Sequence, residues 1–170
     1  LYCGIFEERR NPDFLIEIFE KIAHIFPNLY LVMVGDGPLL NKCKNLAVQL
    51  KLTEKIIFTG KLSQSKLPTL YKKAHLFLLP SEYEIYGMVI LESMYWGTPV
   101  ISSVTAGACE IIDDGVDGIL LKEFDSNRWI TTITRLLLDQ EEYQRLKINA
   151  EKKVKERFLW DKIAKCYANI

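Results

Sequence analysis

The sequence predicts an α/β fold, a doubly wound and mainly parallel sheet of about six strands with helices on both faces. Three observations predict it. Short runs that are apolar on both faces alternate with longer amphipathic segments. Each short run is bounded by Gly, Pro or polar residues, as strands covered on both sides should be. Glycines and charged residues gather just after the short runs, at what becomes one rim of the sheet.

The strand candidates are LYCG (1–4), LYLVMV (29–34), KIIFTG (55–60), HLFLLP (75–80), TPVISS (98–103) and GILL (118–121). Between the first two, Phe14, Leu15, Ile18, Phe19, Ile22 and Phe26 keep a helical period, with Pro12 near the first turn. Leu39, Cys43, Leu46, Ala47 and Leu50 form a second helical face after the turn GDGP. Leu67, Leu70, Tyr71 and Ala74 mark a short third helix, with Ser63 and Ser65 as candidate caps. Met88–Trp96 reads as a fourth helix stopped by Gly97. Two closing helices are expected over about 126–138 and 140–158. The β-α alternation implies right-handed crossovers, and in such sheets ligands bind outside the carboxyl ends of the strands. No repeat or linker interrupts the pattern, so residues 1–170 read as a single domain. Its abrupt start in a core strand reads as excision from a larger protein.

Composition narrows the function. The chain of 170 residues is 49% hydrophobic, enough for a substantial core. It carries 22 basic and 22 acidic residues, without the basic excess that a nucleic acid partner requires. Cys3, Cys43, Cys109 and Cys166 are far apart and read as free thiols of an intracellular protein. No apolar run approaches the roughly 18–20 residues that cross a bilayer. IIDDGVDGILL puts Gly115 and Phe124 where a calcium loop needs an acid, so it reads as a turn and no metal site is expected. His24 and His75 have no nucleophile arranged beside them.

The segment PSEYEIYGMVILESMYWG (80–97) carries most of the chemistry. A loop leads through Gly87 into a helix whose first amides, at Met88 and Val89, lack intrahelical acceptors and suit a phosphate. Glu84 precedes those amides and Glu92 follows them, about 7 Å along the axis at ~1.5 Å per residue. Two carboxylates bracketing an anion site match a nucleotide sugar, with a diol on either side of a diphosphate. Glu92 is the unusual member, an acid among the aliphatics of MVILESM.

This stretch resembles the signature of the family 4 (group 1) retaining glycosyltransferases, in the C-terminal Rossmann-like domain of the GT-B fold. VGDGPLL, IIFTGKLSQSKLPTLYKKAHLFLLPS, EIIDDGVDGILL and the terminal ERFLW extend the resemblance over nearly the whole chain. It implies that Glu92 holds the ribose hydroxyls, that Glu84 faces the transferred sugar, and that Gly87, Met88 and Val89 contact the diphosphate. The family's G-R-x4-K-G segment falls on Gly4, Ile5, Arg10 and Asn11, so one of its two cations is missing at Ile5 and Arg9 stands nearby as a substitute. Base recognition in this fold runs through backbone near Gly60, Lys61 and Leu62. Ile85 and Ala106 stand where the family has glycines, which bears on the sugar pocket.

The resemblance implies a retaining, metal-independent glycosyltransferase that uses a UDP- or GDP-linked sugar and no further cofactor. Its acceptor, a glycan, lipid or other hydroxyl compound, is bound by an N-terminal domain absent from this chain. An isolated fragment should then bind donor weakly and transfer nothing. The expected setting is polysaccharide or glycoconjugate synthesis in the cytoplasm, with peripheral association at the inner membrane face through the full-length protein. A sugar-nucleotide epimerase of the same fold and a non-catalytic nucleotide-binding module stay open as alternatives.

Overall fold

The computed structural model describes residues 1–122 and 124–158. The elements run β1 (Tyr2–Cys3), α1 (Pro12–Ile25), β2 (Leu31–Val34), α2 (Leu40–Gln49), β3 (Ile56–Gly60), α3 (Leu67–Lys73) and β4 (Phe77–Leu79). They continue α4 (Met88–Tyr95), β5 (Val100–Ser103), α5 (Ala106–Ile111), β6 (Ile119–Leu121), α6 (Ser126–Leu138) and α7 (Gln140–Arg157). Trp160, Cys166, Tyr167 and the end of ERFLW lie outside the described residues.

All the named strand pairs are parallel, in two three-stranded sheets ordered β1-β2-β3 and β4-β5-β6. The expected six-stranded sheet is thus divided at its centre, because β1 is only two residues long. The halves still lie edge to edge: Leu78 N–H donates to Leu1 O at 2.9 Å, and the Leu1 nitrogen to Leu76 O at 2.8 Å. Across the molecule the strands therefore run 3-2-1-4-5-6. Chain order reverses between β1 and β4, and a sheet of this kind opens a ligand crevice at that point.

Two cores sandwich the strands. On one face Leu15, Ile18 and Ile22 of α1, Cys43 and Ala47 of α2 and Trp129 and Ile133 of α6 pack on Met33, Leu78 and Ile101. On the other, Tyr71, Ile90, Met94, Ala108, Ala150 and Val154 pack on Phe77, Leu79 and Val100. Neighbouring strand residues such as Leu78 and Leu79 fall in different cores, as period-2 alternation requires. This is why the strands read as continuous apolar runs.

Two sequence expectations need correction. α5 is a helix not expected after β5; it has six residues, too few for an apolar period, and is started by Thr105, whose side chain accepts Ala108 N–H. Ser63 and Ser65 do not cap α3. They sit by a 3-10 turn over Gln64–Lys66, and their hydroxyls lie 3.1 Å from each other.

The acids of IIDDGVDGILL are taken up within the fold. Asp114 accepts Leu120 N–H and Asp117 accepts Asp113 N–H, each at 2.8 Å. Lys153 of α7 places Nζ 2.8 Å from a carboxylate oxygen of each of Asp113 and Asp117. Lys153 and Asp117 are both buried, so removing the cation leaves a buried carboxylate without its partner. Lys153→Met should lower unfolding free energy by about 3–5 kcal/mol in urea titrations; a change under about 1 kcal/mol would show that the pair does not anchor α7.

Candidate functional site

The site is built from loops at the carboxyl ends of the strands. Residues 8–10 form a 3-10 turn after β1 that ends at Asn11, whose φ of 46° lies in the left-handed region. Asn tolerates that region better than other side-chain residues, which explains how it serves where the resembled family has glycine. Its amide Nδ2 reaches Pro80 O at 3.2 Å, and Glu82 N–H donates to Arg9 O at 2.8 Å. The loops after β1 and β4 are thereby joined through backbone as well as side chains.

Arg10 spans the same junction. Its Nη1 donates to Glu84 Oε2 and, at 3.3 Å, to the hydroxyl of the fully buried Ser81. Its Nε is buried and makes no hydrogen bond among the described residues, its ion contact with Glu7 being 3.8 Å. Arg9 turns outward and pairs with Glu7 at 2.7 Å. The structure therefore brings Arg10 and Glu84 together, whereas Arg9 is engaged elsewhere.

Glu84 is held from several sides. Its backbone carbonyl accepts Gly107 N–H at 2.8 Å, the first turn of α5. Gly107 is required there, since a Cβ would lie 2.7 Å from Ile85 O and 3.0 Å from Gly87 N. Gly87 itself caps α4 with φ of 61°. Ile85 is exposed and is not among the residues with positive φ, so it sits in this loop without the strain that a left-handed conformation would bring. Met88 is exposed and Val89 half-buried at the start of α4.

Glu92 is not the isolated acid that MVILESM suggests. Tyr71 Oη donates to its Oε2 at 2.9 Å and Gln64 Nε2 to its Oε1 at 3.1 Å. Both partners come from outside α4, so the local sequence could not show them. A buried tyrosine needs a partner for its hydroxyl, which was the available signal for Tyr71. Gln64, in a short polar turn, carries no such signal.

A cleft of about 580 Å³ opens at the carboxyl ends of β1, β2 and β3, lined by Cys3, Gly4 and Ile5 after β1, Gly35 and Asp36 after β2, and Lys61 and Leu62 after β3. Lys61 is exposed, and Gly60 turns the chain there with φ of 69°. A second cavity, of about 350 Å³, lies at the amino ends of the strands among Leu1, Ile22, Leu31 and Leu76. It is mainly aliphatic and lacks the converging polar groups of a ligand site. Among the described residues no group of His, Cys, Asp or Glu is disposed to hold a metal ion, and no helix is long and apolar enough to cross a membrane.

The family model for glycosyl transferases group 1 matches residues 1–153. The chain belongs to this family. It is 36% identical over 172 residues to an uncharacterized glycosyltransferase of Methanocaldococcus jannaschii, covering 100% of this chain and 43% of the relative. Sucrose-phosphate synthase from Thermosynechococcus elongatus superposes with a TM-score of 0.87 at 27% identity, over 99% of this chain and 43% of the other. Anabaena Alr3699/HepE in complex with UDP-glucose gives a TM-score of 0.86 at 22% identity, over 99% and 48%. The chain thus spans less than half the length of these relatives, and its fold is the Rossmann-like unit of GT-B glycosyltransferases.

Electrostatics at the Arg10–Glu84 contact fix a pH dependence. Burial raises the Glu84 carboxyl pKa, but the Arg10 guanidinium and the N–H groups of Gly87 and Tyr86 lower it by more, leaving it below the ordinary value. Such a group stabilises the fold above its unfolded pKa of about 4.3, and that contribution is lost as pH falls through the folded value. Glu84→Gln should therefore unfold at lower temperature than the native chain at about pH 7, with the gap closing below about pH 4. A gap unchanged at about pH 3 would mean that the carboxylate charge is not its source.

Proposed function

We propose that this chain is the donor-binding C-terminal domain of a two-domain retaining glycosyltransferase, which moves a sugar from a nucleoside diphosphate to an acceptor hydroxyl. The observation that carries the reading is the disposition of Arg10–Glu84 and Glu92 around the start of α4, in a chain of this family. Met88 and Val89 amides and Arg10 would meet the diphosphate, whose negative charge grows as the sugar–phosphate bond breaks. The guanidinium has five N–H donors, so it can keep Glu84 and still address a phosphate oxygen. Glu84 would orient the sugar and Glu92 the ribose, while Gly4, Gly60, Lys61 and Leu62 border the base. Ile5, exposed on the cleft, leaves Arg10 and the amides with more of the leaving-group charge.

The acceptor, and further groups near the reacting bond, belong in this reading to an N-terminal domain beyond the present chain. The fragment alone should then bind donor and transfer nothing. We place the full enzyme in the cytoplasm, associated peripherally with the inner face of a membrane, in glycan or glycoconjugate synthesis independent of a metal ion. The bound donor of the Anabaena protein makes UDP-glucose the first candidate to test, followed by GDP-linked sugars.

Calorimetry with these donors, on native chain and on Glu92→Ala, tests the assignment. Loss of the charged hydrogen bonds should weaken binding by about 10- to 150-fold. No binding by the native chain, or full binding by Glu92→Ala, would sink the ribose role. Products from the full-length enzyme should show a new glycoside only when acceptor is added; an altered donor without acceptor would instead mark an epimerase.

A further inference from the structure

Glu92 has two carboxylate oxygens held in unlike ways. Oε2 is bound by Tyr71, whose side chain is 1% exposed, whereas Oε1 is bound by Gln64, an exposed residue of the turn before α3. Tyr71 is itself fixed at two further places. Its ring packs on Phe77 with centroids 5.7 Å apart, and its backbone carbonyl accepts the buried Thr98 hydroxyl. The buried hydroxyl on α3 thus holds the carboxylate on α4 from a fixed position.

Phenylalanine would fill the same apolar space as Tyr71, so the hydroxyl's work in the structure lies in its polar contacts. A flexible glutamate on a half-exposed helix face samples several rotamers, and ordering it on binding costs affinity. A buried donor that already holds one oxygen removes much of that cost before the ligand arrives.

We propose that Tyr71 is the positioning residue for Glu92: its hydroxyl locks Oε2 so that Oε1, held only by the exchangeable Gln64, faces the ribose hydroxyls. The inference rests on the reading of Glu92 as the ribose ligand. Ribose hydroxyls displace Gln64 while the Tyr71 contact persists. Gln64 then acts as a stand-in for the nucleotide in the free protein, and Tyr71 sets how strongly the site favours ribose over deoxyribose.

The test is a mutant cycle of native, Tyr71→Phe, Glu92→Ala and the double variant, titrated with UDP, GDP and their 2′-deoxy counterparts. The ribo-to-deoxy affinity ratio within each variant does not depend on the fraction of chain folded. Tyr71→Phe should weaken ribonucleotide binding about 10-fold and move the ratio towards one, and should cost less than about 2-fold when Glu92 is already alanine. If Tyr71→Phe weakens both nucleotides equally, or adds its full effect to Glu92→Ala, the positioning role is overturned while the ribose reading stands. If Glu92→Ala leaves the native ratio intact, the ribose reading itself fails and takes the inference with it.

Discussion

The contact on which the site depends is the Arg10–Glu84 ion pair across the line where β1 meets β4. The two three-stranded sheets share little backbone pairing there, because β1 contributes only two residues. Crevices form at such a line because the crossovers leave it in opposite directions. Arg10 closes the crevice at its carboxyl rim, with the Asn11–Pro80 and Glu82–Arg9 hydrogen bonds beside it. The loop after β4 is therefore oriented by the loop after β1, and α4 begins where that loop delivers it.

This coupling relates one half of the sequence to the other. Arg10 and Glu84 are 74 residues apart, and their ion pair ties one loop to the other. Glu92 is likewise held by distant residues, Tyr71 being 21 residues away and Gln64 28. Each carboxylate of the E-x7-E pair is thus placed by a donor from a different element. α4 carries Glu92 while Glu84 lies in the loop before it, and tertiary contacts set where each points.

Much of this was legible in the sequence, for identifiable reasons. Six strands were visible because both faces are buried, and α1, α2, α6 and α7 because their core faces keep a helical period. α5 was hidden by its length, six residues being too few to show an apolar period. The division into two sheets follows from the shortness of β1, which no periodicity records. At the site, Glu92 stood out as an acid among aliphatics, and Glu84 by its place before the first amides of α4. Gln64 and Tyr71 did not, because their importance arises from neighbours distant in sequence. Serines 63 and 65 misled because a cap residue and a turn residue have the same composition.

The close approach of Gly107 to the Ile85 carbonyl has a consequence for how this rim can change. The loop that carries Glu84 is registered on α5 by main-chain atoms, through Gly107 N–H and the bare Cα beside it. Its frame does not depend on the side chains of Tyr83, Ile85 or Tyr86, all of which face outward. Those three positions are therefore the natural place to diversify a library, since substitutions there leave the scaffold standing. The glycine at 107 is the position such a library must leave alone.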